Sequence, residues 1–149
     1  MRRNSVTVQA LLAQRRCDAP LRAAFVEGGS GRRTTWGEIA VAAADWTMQR
    51  DRLGTAPLAR VGIVMADPLA AATAHLAALA AGVTVAPLNP DAPADELAQE
   101  IHTLGLSAVV TDGRADAGLD DLAAAGAQVW TTRSAGLRLA RVRPWPAPP

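Results

Sequence analysis

From residue 60 to residue 112, short apolar runs alternate with stretches of helical length: RVGIVMADPLAAATAHLAALAAGVTVAPLNPDAPADELAQEIHTLGLSAVVTD. Residues 61–65 are apolar without alternation, which predicts a strand covered on both faces. Asp67-Pro68 suits the N-cap and first turn of a helix running to Ala81, and Gly82 suits its C-terminal cap. That helix is apolar nearly all round, so it is expected to be sandwiched. Residues 83–86 read as the next strand and residues 87–93, with three prolines, as a rigid loop. Residues 94–104 put Leu97, Ile101 and Leu104 on one helical face and Asp95, Glu96 and Glu100 on others, with Gly105 able to cap the end. A strand at residues 107–111, a short helix at 119–125 and a strand at 128–131 complete the alternation.

Upstream, Val8, Leu11 and Leu12 give residues 6–16 the spacing of a short amphipathic helix that ends before Pro20. Residues 23–26 read as a strand, Gly28-Gly29-Ser30-Gly31 as a flexible turn, and residues 32–34 as the returning arm of a hairpin. Thr35-Trp36-Gly37-Glu38 is a capping box, in which the hydroxyl accepts from the Glu38 amide and the carboxylate reaches back to the Thr35 amide. The helix it starts is expected to run to about Arg52, with Ile39, Ala42, Ala43, Trp46 and Leu53 as its apolar face, before a turn at 54–59. Residues 134–149 carry four prolines in their last six positions and predict no element. Strands alternating with helices imply an α/β fold, a mostly parallel sheet flanked by helices, preceded by a small helix and β-hairpin. The expected organisation is an α/β unit at residues 1–132 and an Arg/Pro-rich tail or linker at 133–149. No internal repeat of the solenoid kind is present.

A length of 149 residues fits one domain, and half the residues are apolar, which excludes a disordered chain. Alanine dominates that apolar half: there is one Phe (Phe25), no Tyr and three Met. Close packing of Ala-rich helices is therefore expected. All fifteen basic residues are Arg, and the formal net charge of +1 gives no nucleic-acid or membrane signal. Charge is uneven along the chain. Residues 91–121 hold eight acids and one Arg, whereas four Arg and no acid follow from Arg133 onward. A solvated end explains the basic tail more simply than an anion-binding arm. Cys17, the single cysteine, cannot form an internal disulfide and points to a reducing, cytoplasmic setting. The first twenty residues lack a continuous apolar run, so no signal peptide is expected. Residues 68–88 are long enough for a membrane span but contain His75, Gly82 and two prolines; a buried helix followed by a buried strand explains them better.

Candidate chemistry is sparse. His75, His102 and Cys17 lack metal-ligand spacing, and Asp120-Asp121 reads as the acidic first turn of a helix. No dinucleotide-binding glycine motif follows the first strand, and neither a Gly-x-Ser-x-Gly elbow nor a His-Glu-x-x-His motif occurs. Trp36 and Trp46 are expected to be buried, and Trp145 lies in the tail between two prolines. No residue is assigned a catalytic, cofactor-binding or metal-binding role.

The ordered string does carry a resemblance. Thr35-Trp36-Gly37-Glu38-Ile39, a helix, Arg60-Val61-Gly62-Ile63-Val64-Met65, an apolar helix ending in Ala81-Gly82, then Pro87-Leu88-Asn89-Pro90, Asp95-Glu96-Leu97 and Ala108-Val109-Val110-Thr111 follow one another in the order and spacing of the first α/β unit of adenylate-forming enzymes. The chain resembles that AMP-dependent synthetase/ligase family, and acyl-CoA synthetases more than peptide-synthetase adenylation domains. The resemblance implies a parent reaction of carboxylate with ATP, giving an acyl-adenylate and then a thioester. ATP, magnesium and CoA or a carrier-protein thiol would serve that parent. It also implies what is missing. The family's glycine- and hydroxyl-rich phosphate loop has no counterpart, nor do its adenine, magnesium and ribose motifs, and its catalytic lysine has none in a chain without lysine. The chain alone is thus expected to be inactive and to bind no cofactor by itself. Its expected partner is the rest of a synthetase or a separately encoded synthetase-like subunit, with self-association possible. The alternatives are a non-catalytic interaction module on the same scaffold and a free-standing α/β fold that binds an anion through Arg138, Arg141 and Arg143.

Overall fold

The structure, a computed structural model, describes residues 6–50, 60–112, 128–133 and 138–143. Helix α1 (Val8–Asp18) precedes an antiparallel hairpin of β1 (Ala23–Val26) and β2 (Arg33–Thr35), then α2 (Trp36–Gln49). A five-stranded sheet follows, built from β3 (Arg60–Val64), β4 (Thr84–Pro87), β5 (Leu106–Thr111), β6 (Gln128–Arg133) and β7 (Arg138–Arg143), in the order β4-β3-β5-β6-β7. Helix α3 (Pro68–Ala80) joins β3 to β4, and α4 (Ala94–Leu104) joins β4 to β5. The first four strands of that order are mutually parallel and β7 runs antiparallel to β6. This is the α/β architecture with a mostly parallel sheet that the alternation predicts.

Local chemistry explains the helix ends. Thr7 caps α1 by accepting from the Ala10 amide at 3.1 Å. The α2 capping box forms in full: Thr35 Oγ1 accepts from the Glu38 amide at 3.2 Å and Glu38 Oε2 accepts from the Thr35 amide at 2.7 Å. Gly82 (φ 75°) and Gly105 (φ 60°) take the left-handed conformation just past α3 and α4, where a Cβ would be strained.

The sheet has a core on each face, as parallel strands require. On one face Val61, Ile63 and Met65 of the β3 segment and Ala108 and Val110 of β5 meet Ile39 and Trp46 of α2 and Ala74, Ala77 and Ala78 of α3. Alanines on α3 let α2 and the sheet approach it closely, so α3 is sandwiched as expected. On the other face Val64, Leu88, Leu106 and Val109 pack under Leu97 and Ile101 of α4.

Two expectations are corrected. Of the apolar residues assigned to the first helix, only Leu12 is buried; Val8 and Leu11 are 37% and 49% exposed. Helix α1, rich in Gln and Arg, touches the core at its margin through that one side chain. Residues 134–149 were expected to form no element, yet Arg138–Arg143 form β7 beside β6. Its sequence, Arg-Leu-Ala-Arg-Val-Arg, mixes Arg with apolar residues, and the prolines that follow hide it as a strand. The expected helix at 119–125, the turn at 54–59 and the last residues of the expected second helix lie outside the described residues.

Gly62 sits where the second core closes. A Cβ there would lie 2.8 Å from both Leu88 Cδ1 and Leu106 Cδ1. Gly62→Ala is therefore expected to destabilise the fold by about 1–3 kcal/mol through overpacking, read as a lower midpoint in urea unfolding with an unchanged slope.

Candidate functional site

In a doubly wound sheet, ligands bind beyond the carboxyl ends of the strands where the strand order reverses. Here the chain passes from β3 to β4 on one side and returns to β5 on the other, so the reversal lies between β3 and β5. The residues at that crevice are those after β3, Met65 to Asp67, and Asp112 after β5.

Asp67 is the centre of the crevice. Its Oδ1 accepts from the amides of Leu69 at 3.0 Å and Ala70 at 3.3 Å, capping α3. Its own amide donates to Asp112 Oδ2 at 3.0 Å, tying the end of β3 to the end of β5. Its two carboxylate oxygens accept from Arg32 Nη1 at 2.8 Å and Nη2 at 2.9 Å, which ties the hairpin to α3. Arg32 also donates to Glu27 through Nε at 2.9 Å and Nη2 at 3.2 Å. The Ser30 hydroxyl donates to the same Glu27 carboxylate. Beneath this chain the hydroxyl oxygens of Thr34 and Thr73 lie 3.3 Å apart.

The electrostatics follow from these contacts. The Arg32 guanidinium, helped by the Ala70 and Leu69 amides, holds the Asp67 carboxyl down to about 2, against the smaller opposing cost of its partial burial. Arg32 and then Ser30 lower Glu27, and Asp67 and then Glu27 raise Arg32 above its ordinary value.

Among the described residues, the charged groups at the crevice are thus engaged with one another. The Leu69 and Ala70 amides at the start of α3 donate to Asp67, and the Asp67 amide donates to Asp112, so these three donors are engaged within the chain. The glycine-rich turn does not fit phosphate. Glu27 accepts within it, the Gly31 amide donates to the Glu27 carbonyl and the Arg32 amide to Ser30 Oγ.

The other candidates are dispersed. Cys17 is exposed at the end of α1. His75 lies on α3, its Nδ1 2.8 Å from the Ala71 carbonyl and therefore donating, and its buried Nε2 has no partner among the described residues. His102 is exposed in the last turn of α4. Among the described residues no three His, Cys, Asp or Glu side chains group as metal ligands, and no helix is long and apolar enough to cross a membrane. Trp46 is fully buried and Trp36 partly so. Asp120-Asp121 and Trp145 lie outside the described residues. Sequence reasoning identified Asp67 as a cap but missed its pairing with Arg32, thirty-five positions away, for which periodicity gives no signal.

Comparison with known proteins places this geometry. The family described as AMP-binding enzyme matches residues 13–143, most of the chain, and the chain belongs to that family. No curated protein matches it. Among solved structures, it is similar to a benzoate CoA ligase from Burkholderia xenovorans LB400 (24% identity, TM-score 0.70, 86% of this chain and 26% of that one). It is similar as well to MatB from Rhodopseudomonas palustris (25% identity, TM-score 0.66, 87% and 26%). A Mycobacterium tuberculosis fatty acyl CoA synthetase is a third (21% identity, TM-score 0.70, 95% and 30%). The chain thus spans between 26% and 30% of the length of these relatives.

Asp67→Ala is expected to cost about 1–2 kcal/mol, the range of a lost cap, and Asp67→Asn less, because an amide oxygen still accepts from α3. The Asp67 carboxyl titrates lower in the folded chain, about 2 against 3.8. Its contribution to stability is then complete above about pH 4 and lost as pH falls toward about 2. Asp67→Asn should flatten the stability curve in that window when unfolding is followed by circular dichroism.

Proposed function

We propose that this chain is the N-terminal portion of an AMP-forming acyl- or aryl-CoA synthetase-like protein and does not activate carboxylates by itself. The observation that carries the reading is the family match over residues 13–143, together with structural neighbours that are CoA ligases or synthetases. The parent reaction would join a carboxylate to AMP from ATP, release pyrophosphate, and pass the acyl group to the thiol of CoA or a carrier protein. In that setting this chain supplies scaffold: a two-faced sheet, a capped α3 and a hairpin fixed across the strand ends. Among the described residues of the crevice, Met65 to Asp67 and Asp112, there is no lysine, histidine, hydroxyl or thiol; Arg32 pairs with Asp67, and Asp112 accepts from the Asp67 amide. The lone Cys17 supports a reducing, cytoplasmic setting. The purified chain is expected to show no ATP–pyrophosphate exchange above the no-protein control with aliphatic or aromatic carboxylates. Carboxylate-dependent exchange that follows the protein through purification would contradict the reading.

A second reading, a non-catalytic subunit that complements a separate synthetase-like chain, is favoured by one feature. Val41 and Met48 on α2 are 60% and 68% exposed and share a face with exposed Ala44. The spacing i, i+3, i+7 makes a continuous apolar stripe suited to a partner surface. Co-expression with a synthetase lacking its own first α/β unit should yield a complex, and Val41→Asp with Met48→Asp should prevent its co-purification. Equal recovery of both versions would rule out the stripe as the contact.

A further inference from the structure

Helices α1 and α4 lie on opposite faces of the five-stranded sheet: Leu12 of α1 belongs to the first core, and Leu97 and Ile101 of α4 belong to the second. Charge is divided in the same way. Residues 6–36, from α1 to the start of α2, carry five Arg and two acids; residues 61–112, which include α4, carry six acids and no Arg. A groove of about 390 Å³ lies between α4 and the Pro87-Leu88 segment at the end of β4. Pro87, Leu88 and Leu104 give it apolar walls, and Glu96 and Glu100 give it an acidic rim. Both glutamates are exposed, and among the described residues neither has an ion-pair or hydrogen-bond partner for its side chain, unlike Glu27 and Asp67. Helix α1 carries the complementary face. Leu12 is its one buried residue, and Leu11 is 49% exposed. Arg15 is exposed one turn beyond Leu11, and its side chain too has no partner among the described residues. Leu11 with Arg15 on α1, and Leu104 with Glu100 on α4, each set an apolar and a charged side chain four positions apart on one helical face, with opposite charges. The two pairs coincide when the helices run antiparallel.

We propose that this groove is an interface between copies of the chain, and that it takes helix α1 of a second copy. Leu11 of the second copy enters between Pro87 and Leu104, and its Arg15 meets Glu100 on the rim, with Glu96 one turn further along α4. The contact cannot form within one chain, because α1 and α4 are on opposite faces of the sheet. Each copy offers one groove and one α1, so the contact is head-to-tail, giving rings where the rotation closes and open chains where it does not. The inference depends on the match of charge and hydropathy between the two helices and stands apart from any reading of the parent reaction.

Sedimentation velocity on the purified chain tests it. In about 50 mM NaCl, species larger than the monomer should grow with protein concentration; in about 500 mM NaCl, their association should weaken about tenfold by screening. Glu100→Arg sets a basic rim against a basic helix, and Arg15→Glu sets an acidic helix against an acidic rim. Each variant alone should be monomeric, and an equimolar mixture should assemble again with the two variants alternating. Leu11→Ser, at an exposed position where the fold does not depend on the side chain, should weaken association about tenfold and, because it leaves every charge in place, should not be rescued by mixing with either charge variant. A chain that stays monomeric at low salt up to about 1 mM protein overturns the proposal. So does association that ignores both salt and charge reversal, which would point to the α2 stripe instead, and so does a mixture of the two charge variants that stays monomeric.

Discussion

The Asp67 carboxylate joins more of this structure than any other group. It terminates β3, caps α3 through two amides, pairs with Arg32 of the hairpin, and its own amide is held by Asp112 at the end of β5. Two segments distant in sequence, the hairpin and the end of β5, converge on the residue that links β3 to α3. An exposed ion pair contributes little on its own, about 0–1 kcal/mol. Here the pair is bidentate, the Asp67 side chain is only 15% exposed, and the same oxygens serve a helix cap. The constraint is therefore geometric as much as energetic: the hairpin cannot leave the strand ends without stripping Asp67 of its guanidinium partner.

That constraint has a chemical consequence. The point where the strand order reverses is the usual ligand crevice of an α/β sheet, and in this chain it is occupied by a carboxylate–guanidinium–carboxylate chain of its own making. The Asp67 carboxylate that caps α3 takes up the amides a helix N-terminus would otherwise present. The arrangement holds the sheet and the hairpin in register, in a chain that covers about a quarter of the length of the benzoate CoA ligase and MatB to which it is similar.

Much of the fold was legible because its signals are local. The Thr35–Glu38 capping box, Asp67-Pro68 at the start of α3, the uniform apolar run of β3 and the glycines after α3 and α4 each depend on a few adjacent residues, and each lies where expected. Long-range features were not legible. The partnership of Arg32 with Asp67 leaves no periodicity, and the exposure of Val8 and Leu11 depends on where α1 meets the core. Strand β7 was missed because an Arg-rich run followed by prolines resembles a solvated tail until a neighbouring strand is present to pair with it. The family resemblance was readable as an ordered string even though no single motif in it is specific.

At the crevice between β3 and β5 the amides of Asp67, Leu69 and Ala70 are engaged by the chain's own carboxylates. Amide chemical shifts of Asp67, Leu69, Ala70 and Asp112 during titration with ATP and magnesium test it most directly. The account predicts no saturable change up to about 1 mM nucleotide, a concentration that would reveal binding worth about 4 kcal/mol. Saturable shifts confined to those four amides would show that the crevice accepts a nucleotide and would contradict the account.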